Sequence, residues 1–352
     1  MSTHSALRPL ARLRARRAAV IPGLVVLTGL LAVVGLAAVS IGPVDSSLPR
    51  AVDALLRAWT GGAQDGAALL VTGIRLPRVL TSILVGGALA VAGAAMQTVF
   101  RNPLAEPGIT GVSSGAAVVA VILLVTGVAA TAPWVLPLGA FVGALAVSTT
   151  VQLAGLGRRS GSAATLLLVG IALNAFCGAI ISAVIANAPD GDAARSAVFW
   201  LNGDLSGRTM TDVGIAVAPI LLGAAVVIAA SRQLDMLDLG DELARAAGVE
   251  VRRTTHIVLA AAALTTAAAV SITGIISFVG LVVPHLVRFL TGPRHTLLLP
   301  ASFLVGGVFL TVADTAARML FTPVVLQTGT ITALVGAPFL LVLVLRRRRV
   351  SR

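Results

Sequence analysis

Of 352 residues, 57% are hydrophobic and 11% charged, and the formal net charge is +12. Soluble domains carry about 25% charged residues, so with a mean hydropathy of +0.99 this composition excludes a chain that folds in water and points to one helical body in lipid. All 26 basic residues are arginine, and the one cysteine, Cys177, leaves nothing for an internal disulfide.

A helix crosses the hydrocarbon core with about 20 mostly apolar residues. Residues 1–17 form a basic segment containing Arg12, Arg14, Arg16 and Arg17, and the first apolar run follows from Ala18 to Ile41. That run exceeds the roughly 7–15 residues of a secretory leader's apolar region, so it reads as a span and not as a cleaved signal. Further runs lie at Val79 to Phe100, Val112 to Ala132, Trp134 to Leu156, Leu166 to Ala188 and Val213 to Ala230. The stretch Ser231 to His256 is the most polar in the chain and reads as two short helices broken at Gly240 and Gly248. Four more runs follow, Ile257 to Ile276, Phe278 to Leu290, Leu297 to Leu320 and Thr330 to Leu345, before the basic tail 346–352. The eighth is short and contains Pro284 and His285, so it is either a span or a re-entrant segment. The expectation is an all-α, polytopic protein with about ten transmembrane helices in one domain, 18–345.

Ten crossings put both termini on one side. That side, counted over alternate loops, holds 19 arginines against 7 on the other. The excess marks the cytoplasmic face of a bacterial inner membrane. The net charge is therefore mostly a topology signal, and no nucleic-acid surface is expected. The second to fifth and seventh to tenth spans run with opposite topology, as in transporters built from inverted repeats. Ala92, Gly93, Asn102 and Pro103 faintly echo Thr273, Gly274, Val283 and Pro284.

Three arginines run against the positive-inside trend: Arg75 and Arg78 before the second span, and Arg318 at the end of the ninth. Asp314 stands four residues before Arg318, on the same helical face, and is a candidate partner for it. Gly86, Gly87, Gly93, Gly111 and Gly115 lie in or beside spans, where small residues let backbones approach closely or line a pathway. No GxxxxGK[ST] loop is present and the chain has no lysine, so it is not a nucleotide-hydrolysing motor. Gln97, Gln152, Asn174 and His285 do not group as a nucleophile with its base or as metal ligands. No catalytic residue, metal or cofactor of its own is expected. A gradient-driven transporter is the alternative reading, and it needs ionisable groups near mid-membrane. Asp314 is the only acidic residue inside a span, and it lies near an end.

Several long segments carry a resemblance. IRLPRVLTSILVGGALAVAGAAMQTVFRNPLAEPGITGVSSG (Ile74 to Gly115), LLLVGIALN (Leu166 to Asn174), LGDELARAAGV (Leu239 to Val249), FVGLVVPHLVRFLTGPRHTLLLPAS (Phe278 to Ser302), ADTAARML (Ala313 to Leu320) and ITALVGAPFL (Ile331 to Leu340) occur in that order. Together they resemble the permeases of siderophore, haem and cobalamin ABC importers, the type II importers with ten spans per subunit. The likeness runs from about Arg75 to the C-terminus. Gln327, Thr328 and Gly329 depart from it, standing where the family has a Pro-Val-Gly step.

The resemblance implies two ABC ATPase subunits that hold ATP and Mg, an extracytoplasmic substrate-binding protein, and a second permease, identical or different, all around this lipid-embedded chain. It implies that Arg75, Arg78 and Arg318 face acidic residues on the binding protein. It makes Leu239, Gly240, Asp241, Glu242, Ala244, Arg245, Ala246, Ala247 and Gly248 the coupling helices on the ATPase. Within these, Leu239, Ala244, Ala246 and Ala247 form the packed face and Asp241, Glu242 and Arg245 the polar rim, with Arg288 to Leu299 as a second contact. Gly161, Ser162, Ala163 and Ala164 correspond to the cytoplasmic gate, a segment that composition alone reads as a turn. The residues that touch the substrate are not identified by any motif.

Overall fold

The computed structural model describes residues 20–42, 47–60, 65–156, 163–321 and 324–350, and its regular structure among these is entirely helical. The basic segment 1–17, Gly161, Ser162 and the last two residues lie outside the described residues. In chain order the helices are α1 (Val20–Ser40), α2 (Leu48–Thr60), α3 (Gly66–Leu70), α4 (Leu76–Val99), α5 (Val112–Val125), α6 (Val135–Leu156), α7 (Ala163–Ala186), α8 (Gly191–Leu201), α9 (Met210–Ala229), α10 (Ser231–Asp238), α11 (Asp241–Ala246), α12 (Val251–Thr273), α13 (Val279–Thr291), α14 (His295–Met319) and α15 (Thr328–Val350).

Among the described residues, seven helical runs are long and apolar enough to cross a membrane, and three shorter apolar helices occupy the places of the third, eighth and tenth expected spans. The large apolar side chains of α1 and α7, such as Val25, Val33, Leu168, Ile171 and Phe176, face outward. Such a surface is stable against lipid and not against water. The short α13, 13 residues or about 20 Å, falls short of a hydrocarbon core of about 30 Å. Its N-cap is Phe278, one of two non-glycine residues with positive φ among the described residues.

Three differences from the sequence reading have physical causes. The second span does not start at Val79: a π turn, Val71–Arg75, joins α3 to α4 and makes Ala68–Val99 one apolar run of 32 residues. Arg75 is thereby inside the helical run and buried. The third span ends at Val125 and not at Ala132, because Gly127 takes a left-handed φ of +74° and turns the chain. The loops also contain two helices that a search for long apolar runs passes over. One is the amphipathic α2, which buries Ala51 and Ala54 with Ala38 and Val39 of α1. The other is α8, whose N-cap Asp190 accepts the Ala193 N–H at 2.7 Å.

Helix α4 is the axis of the bundle. Every residue from Val85 to Thr98 is buried, and α9, α12, α13 and α14 all pack on it. A helix apolar on all sides is stable only when surrounded, and here the residues are small enough for backbones to meet. A Cβ placed on Gly86 would stand 2.2 Å from the Gly306 carbonyl oxygen of α14, and one on Gly93 would stand 2.0 Å from that of Gly280 in α13. Small residues of this kind are what lets membrane helices gain dispersion and contact where lipid removes the hydrophobic drive.

Gly93→Ala therefore forces α4 and α13 apart. The expected cost is about 1–3 kcal/mol or more, read as a lower thermal transition in detergent. Gly29→Ala in α1, where nothing lies within 4 Å of the added methyl, is the control and leaves the transition within about 0.5 kcal/mol of wild type.

Candidate functional site

Helices α4 and α14 run antiparallel and are stapled at both ends, which places two polar clusters at opposite poles of the bundle. Between them lie the Gly86 to Gly306 approach and a bond between Ser82 Oγ and Thr311 Oγ1 at 2.7 Å.

At one pole Arg78 grips Asp314. Its Nε donates to both carboxylate oxygens, at 3.1 and 2.9 Å, and its Nη2 to Oδ1 at 2.8 Å. The remaining arm, Nη1, donates to Ser206 Oγ at 2.9 Å, and Nη2 lies 3.9 Å from Asp204. Thr328 donates to the same Asp314 at 2.8 Å, and Arg318 pairs with it at 3.3 Å across one helical turn. The i,i+4 partner read from sequence is thus present, but Arg78, 236 positions away, holds the same carboxylate.

The other arginines cap α1. Arg318 donates to the carbonyls of Ile41 and Ala38, and Arg75 to those of Val39 and Ser40. The last carbonyls of a helix have no partners within it and carry partial negative charge, so guanidinium groups are well placed there. Arg75 can close on them because Gly42 has no side chain: a Cβ there would be 2.7 Å from its Nη2. Arg75 and Arg318 are therefore buried, at 5% and 6% exposure, with partners inside the subunit.

At the other pole α10 and α11 are tied to the bundle. Asp235 of α10 accepts the His295 N–H at 2.8 Å, so it caps α14, and its carboxylate meets the ring Nδ1 at 2.8 Å. With Nδ1–H turned to the carboxylate, Nε2 accepts from Thr98 Oγ1 of α4, 2.6 Å away. Arg101, just beyond α4, donates to Asp241 and, at 3.3 Å, to the Leu237 carbonyl. Arg288 of α13 donates to Gln97, whose amide donates to the Gly280 carbonyl at 3.1 Å.

This geometry sorts the expected coupling residues. Gly240 and Gly248 break the segment, at φ +120° and +83°. Asp241 faces Arg101, and Ala244 is buried in the bundle core. Glu242, Arg245, Ala246, Ala247 and Gly248 are exposed. Leu239 at 62% and Leu243 at 60% exposure are apolar side chains left uncovered by the bundle. Leu243, which the sequence reading passed over, is as exposed as Leu239. Ala163 and Ala164 open α7.

Other partners were not visible as motifs. Asn174 of α7 donates to the Gly108 carbonyl at 3.2 Å and accepts from Ser114 at 2.5 Å, tying α7 to the turn Pro107–Thr110. Glu106 accepts the Phe278 N–H at 3.4 Å and so reaches the start of α13. Burial raises the Glu106 carboxyl above its ordinary range, opposed by that hydrogen bond. No group of three or more His, Cys, Asp or Glu capable of holding a metal occurs among the described residues.

Comparison with known proteins bears on the family and the fold. The model of the FecCD transport family matches residues 30–346. The chain is 46% identical over 295 residues to the cobalamin import system permease protein BtuC of Halobacterium salinarum, covering 82% of this chain and 76% of that protein. It is 41% identical over 300 residues to the hemin transport system permease protein HmuU of Yersinia pestis, covering 82% and 87%. A solved structure described as an inward-facing conformation of a metal-chelate type ABC transporter superposes with a TM-score of 0.81 at 30% identity, covering 92% of this chain and 98% of that one.

Asp314→Asn removes the counter-charge of Arg78 and Arg318 together. Breaking a buried pair from one side costs about 3–5 kcal/mol, so a marked fall in the thermal transition of the purified protein is expected. Asp53→Asn, in the exposed pair with Arg57, shifts stability by less than about 1 kcal/mol.

Proposed function

The chain belongs to the FecCD transport family, and from that premise we propose that it is the membrane-spanning permease subunit of an ATP-driven importer carrying an iron-siderophore complex, haem or cobalamin. The observation that carries the mechanism is the α10–α11 unit, with Leu239 and Leu243 exposed, held against α4 and α14 by Asp235, His295, Thr98 and Arg101. A rigid attachment of this kind passes a push from a partner into the bundle, whereas a loosely tethered loop would absorb it.

In this reading two permeases enclose the pathway and a binding protein delivers the chelate from outside. Two ATPase subunits, with ATP and Mg, dock on α10–α11 at the cytoplasmic face. Both termini lie on that face, and this chain itself hydrolyses nothing. Gly161, Ser162, Ala163 and Ala164 form the inner gate. At the outer pole three guanidinium groups, Arg75, Arg78 and Arg318, stand with two carboxylates, Asp204 and Asp314. Their surplus positive charge favours an acidic docking face and steers its approach, although each already donates hydrogen bonds inside the subunit. The same pairing weakens the gradient-driven alternative, because the one acidic residue of that span is already engaged by Arg78, Arg318 and Thr328 inside the subunit.

Reconstituted with its ATPase, the chain is expected to show hydrolysis stimulated by binding protein and ligand together. Uptake driven by an ion gradient without the ATPase would overturn the reading. Leu239→Asp with Leu243→Asp is expected to weaken ATPase assembly by at least about tenfold, measured by co-purification. Raising the ionic strength from about 20 to 300 mM is expected to slow docking of the binding protein by about tenfold or more; a salt-independent rate would remove the outer arginines from that role.

A further inference from the structure

A groove of about 1170 Å³ lies where the end of α6 meets the start of α12, and of its lining only Arg245 and Gly248 belong to the segment assigned above to ATPase coupling. Its lip carries Arg245, Arg252 and Arg253 together with Glu250 and His256. Glu250 pairs with Arg253 at 3.7 Å, both largely exposed, and the lining as a whole holds three arginines and one carboxylate. Deeper, the walls turn apolar: Leu153 of α6, and Ile257 and Ala260 of α12. Leu153 and Ile257 are 58% and 45% exposed, and Ala260 lies about 14 Å along α12 from its first residue.

The groove therefore opens sideways along two spans, with a cationic rim at their ends and an apolar floor running toward the membrane interior. A soluble partner meets the rim but has no access to the floor. A lipid meets both, because its phosphate sits at the depth of the arginines and its acyl chain continues beside Leu153 and Ile257. We propose that this groove binds an anionic phospholipid, its headgroup on Arg245, Arg252 and Arg253 and the upper part of one acyl chain against α6 and α12. The site joins the last turn of the α10–α11 unit to the spans, so the bound lipid braces that unit against the membrane. The inference depends on the membrane embedding alone and not on ATP-driven import, and it is tested on the full chain without ATPase or binding protein.

The purified chain is mixed in mild detergent with phosphatidylglycerol and phosphatidylcholine of the same acyl chains, and retained lipid is counted by native mass spectrometry. The expected result is preferential retention of phosphatidylglycerol by the wild type. Arg252→Gln with Arg253→Gln is expected to lower that retention about tenfold, and Arg252→Lys with Arg253→Lys to preserve it. Equal retention of both lipids by the wild type overturns the proposal without reference to any variant, and so does unchanged retention by the glutamine pair. Displacement of the lipid by equimolar glycerol phosphate would assign the rim to a free phosphate, and displacement on adding the ATPase would assign it to that subunit. Either outcome also overturns the proposal.

Discussion

The bundle depends on how closely α4 approaches α13 and α14. In lipid, apolar surface gains nothing by leaving solvent, so helices associate through dispersion, hydrogen bonds and backbone proximity. Gly86, Gly93, Gly280 and Gly306 bring carbonyl oxygens to where a methyl group would stand. The polar bonds at both ends of α4 presuppose that spacing. Arg78 reaches Asp314, and Thr98 reaches His295, only because the helices between them lie in contact.

The two poles follow from the same antiparallel pair. One gathers α1, α4, α14 and α15 around Asp314, with Ser206 closing the group from the segment after α8. The other fastens α10 and α11 to α4 and α14 through Asp235, His295 and Arg101. A packed helix pair with fixed bonds at each end does not bend gradually, since interiors of this density transmit displacement. That is the arrangement a permease needs if events on its two faces are to be linked. It also explains how Arg75, Arg78 and Arg318 are tolerated at the ends of the spans: each has carbonyl or carboxylate acceptors within the subunit, and a charge in a membrane protein without them is expensive.

Much of this was legible in advance at the level of apolar runs and breaks. Ten runs were expected, and each coincides with a helix, seven long and three short. The interruptions at Gly240 and Gly248 appear where a glycine-free helix would have continued. Less legible were features whose signal is local and weak. The amphipathic α2 has too little apolar surface to register as a span, and the π turn before Arg75 hides in a run containing Thr72 and Gly73. The placement of Ala244 inward and Leu243 outward turned on a rotation about one short helix, which composition does not specify.

Composition, arginine asymmetry and the ordered motifs by themselves determined the solvent, the fold class, the approximate positions of the spans and the family resemblance. These are properties of contiguous residues, because a crossing helix satisfies its own backbone within one segment. Only the tertiary structure decided that Asp314 serves Arg78 as well as Arg318, that Asp235 and Thr98 share one histidine, and that Arg75 closes the end of α1. Those bonds join positions from 35 to 236 residues apart. The chain carries no local mark of such pairing, which arises when small residues let distant helices come into register.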